Sequence, residues 1–95
     1  MNKNHIFDNE VTKEELIQIA KSQAKNGYTF SEIGIYRTIK ILEKVSLGRL
    51  ISLSNSDPNT VFIDLESLIY KGLIEKVKYK EDFYYVIKEL RDIDL

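Results

Sequence analysis

Residues able to do chemistry are few in this chain and poorly grouped. His5 is the only histidine, and it stands among Asn2, Lys3, Asn4 and Asp8 with no orienting partner for acid–base or nucleophilic work. Cysteine is absent, which excludes a disulfide, a Cys-based zinc site and a thiol nucleophile. The carboxylate pairs Glu14-Glu15 and Glu81-Asp82 are accounted for by a helix start and a turn. The glycines, at 27, 34, 48 and 72, stand singly instead of forming a phosphate-binding loop. No spacing of oxygen ligands suggests a metal. The expectation is a protein that is not an enzyme, with no metal, no cofactor and no evident small-molecule ligand. What stands out is cationic. Lys76, Lys78 and Lys80 alternate along one stretch, so a strand there places all three on one face, a row able to follow a phosphate backbone. The blander reading is a solvated strand face that discourages edge-to-edge pairing. Tyr28, Tyr36, Tyr70, Tyr79, Tyr84 and Tyr85 could stack on unpaired bases, although core and cross-strand packing is the commoner use of such rings.

The elements that must position these residues belong to one small domain. At 95 residues and 11.1 kDa the chain is long enough for a single core and too short for two. An apolar content of 43% beside 31% charged residues fits a folded chain and not a disordered one. With 14 basic and 15 acidic side chains the net charge is −1, so any nucleic-acid contact must come from local charge. No apolar run approaches the roughly 18 residues of a membrane span, and the polar start lacks a signal peptide's apolar segment, so a cytoplasmic chain without a membrane partner is expected.

Residues 1–11 read as a loose N-terminal arm, since only Ile6 and Phe7 have much to bury. Thr12-Lys13-Glu14-Glu15 is a capping box, and Leu16, Ile19, Ala20 and Ala24 carry a first helix over about 12–26. Ser31 can cap a second helix over about 31–45, with Ile35, Ile39, Leu42 and Val45 on one stripe. Ser46 can cap a third, of about two turns, through Leu53. Asp57-Pro58 marks a fourth helix, an acceptor at the N-cap followed by proline at N1, running to Lys71-Gly72. Beyond it Leu73, Val77 and Tyr79 alternate against the three lysines, and the stretch from Phe83 to Leu90 returns as the second strand of a hairpin.

This order resembles the winged helix-turn-helix family over about residues 31–90. Its most specific stretch is Leu65-x-x-Leu68-x-x-Lys71-Gly72-Leu73-Ile74. The resemblance implies an α+β fold with about four helices and a two-stranded β-hairpin wing, forming one domain over 12–95 with an extra N-terminal helix. It also implies a small DNA-binding protein, a transcriptional regulator by analogy, whose fourth helix enters the major groove of duplex DNA. On that reading Asn59, Thr60 and Asp64 meet base edges or phosphates, while Lys76, Lys78, Lys80 and Arg49 grip the backbone. The charge of the fourth helix departs from this pattern. Over 57–71, Asp57, Asp64 and Glu66 oppose only Lys71, for −2, the wrong sign for a helix approaching phosphates. An alternative is a protein–protein interaction module, with Phe62, Ile63, Ile69 and Tyr70 as the surface for a protein partner or a homodimer. The same side chains could instead be covered from within the chain by the first helix or the arm.

Overall fold

Each helix begins at a side chain able to satisfy its unpaired amides. In the computed structural model, which describes residues 11–88, Thr12 Oγ1 accepts from the Glu15 amide at 3.1 Å and Glu15 Oε1 accepts from the Thr12 amide at 2.9 Å. This capping box opens α1 (Lys13–Gln23), which stops short of the expected residue 26. A second such box opens α2 (Phe30–Leu42), built on Thr29 and Glu32 and not on Ser31. Ser31 is then free to face another helix. Glu43 leaves helical geometry with φ 72°, so Val45, expected as the last stripe position of that helix, instead exchanges backbone hydrogen bonds with Tyr85. Ser46 caps α3 (Leu47–Ser54), and Asn55 in the left-handed region ends it. Asp57 accepts from the Thr60 amide with Pro58 at N1, opening α4 (Pro58–Tyr70). At its end Gly72 has φ 82°; its amide reaches Ile69 O and the Leu73 amide reaches Leu68 O, the Schellman pattern that a residue with a Cβ would adopt only with strain.

The chain then forms the antiparallel hairpin β1 (Ile74–Tyr79) and β2 (Asp82–Ile87), in register from Ile74↔Ile87 to Tyr79↔Asp82. Here the expected alternation is displaced by one residue. Leu73 is buried, but it belongs to the Schellman turn, so the strand's inward face starts at Ile74 and shares its parity with Lys76 and Lys78. Val77 is only half-buried and Tyr79 is exposed, contrary to the expectation that they line the covered face. The lysines remain exposed because the hairpin extends beyond the edge of the core.

The architecture is therefore α+β, four helices and a two-stranded hairpin. Ile35, Tyr36 and Ile39 of α2, Leu50 of α3, Val61, Leu65 and Leu68 of α4, and Ile74 and Tyr85 at the hairpin base form the main cluster. Leu16, Ala20 and Phe62 are buried outside that cluster, where α1 packs along α4. The expected arm at 1–11 lies outside the described residues except for Val11, as do the last residues of the expected returning strand.

Candidate functional site

Two regions compete as the site: α4, nominated by its place in the chain, and the hairpin, nominated by its lysines. A helix that buries a single stripe leaves the opposite side for a ligand. On α4 the buried positions are Val61, Phe62, Asp64, Leu65, Ser67 and Leu68, which is too many for one stripe. Ser67 lies about 200° round the helix from Leu65 and is fully enclosed, so the flank of α4 that carries Asp64 and Ser67 is covered as well as the core stripe.

Polar residues from the first part of the chain provide that cover. Asp64 accepts from Gln23 Nε2 of α1 at 2.9 Å and from Ser31 Oγ of α2 at 2.5 Å. Ser67 Oγ donates to Glu32, which is wholly buried. Lys71 Nζ lies 2.9 Å from both Glu32 carboxylate oxygens and 3.0 Å from Gly27 O, with the Tyr28 ring centroid 4.4 Å away. Burial pushes the Glu32 carboxyl up, but the hydrogen bonds from Ser67, Lys71, Thr29 and Gln23 outweigh it and hold the group below its usual value. The remaining stripe of α4, formed by Asn59, Ile63, Glu66 and Tyr70 at i, i+4, i+7 and i+11, is flanked by α1. Lys21 Nζ sits 5.7 Å from the Tyr70 ring centroid. The Glu66 carboxyl is raised by burial, against the lowering charges of Lys76 and Lys13.

These positions correct two expectations. Asp64 is 3% exposed and its carboxylate is occupied from within the chain, so it does not present itself to a cytosine amino group. Phe62, expected on a partner surface, is likewise 3% exposed; Ile63 and Ile69 are half-buried, Ile69 against the core, and of that group only Tyr70 is exposed. The sequence also placed Lys71 as the single cation of this helix, and that charge is committed to Glu32. Thr60 is exposed at the start of α4, Asn59 is half-buried with its Oδ1 lacking a hydrogen-bond partner, and Arg49 is exposed on α3.

The hairpin is organised differently. Lys76, Lys78 and Lys80 are exposed, and among the described residues none lies within salt-bridge distance of a carboxylate. The single row expected of all three is reduced to Lys76 and Lys78, because β1 ends at Tyr79 and Lys80 stands in the turn with φ 60°, over the Tyr79 ring. The register sets Lys78 opposite Phe83 and Lys76 diagonal to it on the same face. The Phe83 ring is 51% exposed, with Lys76 Nζ 5.0 Å and Lys78 Nζ 5.8 Å from its centroid. Tyr85 shares that face but is buried at its base, where burial first and the Glu66 charge second push its hydroxyl up to about 12. On the other face Tyr79 is 52% exposed and Tyr84 half-buried. Lys44 Nζ lies 4.6 and 5.0 Å from their centroids, and Lys80 Nζ lies 5.5 Å from that of Tyr79. Sequence reasoning missed Phe83 and Lys44. The first was within reach, since the parity of Lys76, Lys78 and Phe83 follows once a two-residue turn is placed at Lys80-Glu81.

Comparison with family models, curated proteins and solved structures finds no significant match. Among the described residues no helix is long and apolar enough to cross a membrane, and no group of three His, Cys, Asp or Glu residues is placed to hold a metal ion. Elsewhere on the surface Phe30 is 94% and Ile41 80% exposed on the outer side of α2. Near them a cleft of ≈ 260 Å³ is lined by Ser31, Gly34, Thr38, Leu50 and Leu53.

Proposed function

We propose that this chain is a winged-helix protein that binds duplex DNA through its wing, the β1–β2 hairpin, with α4 acting as a scaffold and not as a reading helix. The order of helices, the proline-led α4, its glycine terminator and the hairpin that follows support the fold reading. The observation that carries the function is the contrast in cations: Lys71 of α4 is tied to Glu32, whereas Lys76, Lys78 and Lys80 of the wing stand exposed with no carboxylate within salt-bridge distance among the described residues. Phosphate contacts position a protein on DNA but carry no sequence information. Binding of this kind is salt-sensitive and discriminates weakly between sequences, and a role as transcriptional regulator would rest on such backbone contact. Arg49 and Thr60 are the exposed candidates for further phosphate contacts.

Fluorescence anisotropy with a random duplex tests this reading. Binding is expected at about 50 mM salt, and replacing Lys76, Lys78 and Lys80 with alanine should flatten the log–log salt slope by nearly one unit for each phosphate that is no longer neutralised. Absence of binding at that salt, or an unchanged slope in the triple variant, would sink it.

A second reading, protein association, is favoured by the exposure of Phe30 and Ile41 on α2 and no longer by α4, whose Phe62 is covered. Sedimentation velocity of the wild type and of Phe30→Asp checks it: a monomeric wild type removes self-association, and a dimer that dissociates in the variant supports it.

A further inference from the structure

The exposure of Phe83 is unexplained by backbone binding. Lysines alone suffice to meet phosphates, and an apolar ring held half in water at a hairpin costs hydrophobic free energy that a polar residue there would avoid. The ring is also fixed in direction. Its strand is paired in register with β1, and Tyr85, two residues along on the same face, is anchored in the core. Lys76 and Lys78 of β1 hold their ammoniums over it, and the Glu66 charge on α4 is felt by Lys76. An exposed aromatic ring with two cations beside it on the neighbouring strand matches the chemistry of one nucleotide, a flat base joined to phosphates. Bases within a duplex are already stacked above and below, so the ring gains a partner only where a base is unpaired.

We infer that the Phe83 face of the wing binds an unpaired nucleotide of single-stranded nucleic acid, with the base stacked on the ring and Lys76 and Lys78 turned to the adjoining backbone phosphates. This rests on the proposed wing contact in using the same lysines, and adds a preference that duplex binding does not require. Tyr79, with Lys44 and Lys80 on the opposite face, repeats the arrangement.

The chain contains no tryptophan, so Phe83→Trp installs a single reporter. Titration of that variant with oligo(dT), which forms no duplex, should quench its emission, while a blunt duplex should leave it nearly unchanged. Phe83→Ala, checked for folding by circular dichroism, should bind oligo(dT) about tenfold more weakly, the scale of one base–aromatic stack, and bind duplex within about twofold of wild type. Equal oligo(dT) affinity for Phe83→Ala and wild type, or no quenching in Phe83→Trp, overturns the inference while lysine-dependent duplex binding stands. Quenching by oligo(dT) without salt-dependent duplex binding overturns the duplex reading and leaves this one standing.

Discussion

Helix α4 and the hairpin carry similar kinds of residue and use them in opposite ways. On α4 two charges are turned inward: Asp64 accepts from both α1 and α2, and Lys71 ties the end of α4 to Glu32 at the start of α2. On the hairpin, cations and rings project beyond the core and interact mainly with each other. With Asp64 and Lys71 committed inside the fold, Asp57 and Glu66 remain, so the helix stays acidic in what it presents and keeps no free cation. Local net charge reports on a ligand only after internal partners have been subtracted, and for α4 that subtraction removes Asp64 and the single cation, Lys71.

The comparison breaks most readily at Lys71. Lys71→Met leaves the buried Glu32 carboxylate with Ser67 and Thr29 but no countercharge, and should cost about 3–5 kcal/mol of stability by urea unfolding. If Lys71 served a ligand instead, the loss would appear in binding and not in folding. Asp64→Ala removes the acceptor shared by Gln23 and Ser31 and should cost about 1–3 kcal/mol, by the same measurement, without improving duplex affinity. A gain in affinity would show that Asp64 repels phosphates from an accessible face.

Acid titration sharpens the same contrast. Glu32 is held below its usual value, so its contribution to stability is present above about pH 4.5, the unfolded-chain value, and is lost as pH falls through the lower folded value. Glu66 is raised by burial, so its ionised form is a cost at neutral pH that is relieved on descending through the raised value towards the usual one. Thermal melts should therefore show a slight gain in stability on mild acidification and a loss below about pH 4.5; Glu66→Gln should remove the gain and Glu32→Gln should blunt the loss. The smallest effect is expected on the wing, where Lys76→Ala and Lys78→Ala should leave stability within about 0.5 kcal/mol, since their side chains are exposed.

Legibility in the sequence followed the range of the interactions. Thr12 with Glu15, Asp57 with Pro58, and Gly72 act within one turn of chain, and all three boundaries could be read from residue types. Thr29 was hidden by Ser31, a second good capping residue two positions later, whose hydroxyl is used across the fold by Asp64. The phase of β1 was misread because Leu73 is apolar for the sake of the preceding turn. The burial of Asp64 and Glu32 was not legible at all: their partners lie tens of residues away, and a carboxylate on a helix looks the same in sequence whether it faces water or a glutamine. Phe83 became a site residue only once the register placed it beside Lys76 and Lys78.

The proposed contact of nucleic acid with the hairpin and not with α4 is tested residue by residue by backbone amide shifts during titration with a short duplex. Perturbations are expected to concentrate between Lys76 and Phe83, with α1 and the middle of α4 unmoved. Shifts centred on Ile63 and Glu66 of α4 together with Leu16 and Ala20 of α1, as though α1 had been displaced to expose the helix, would contradict it.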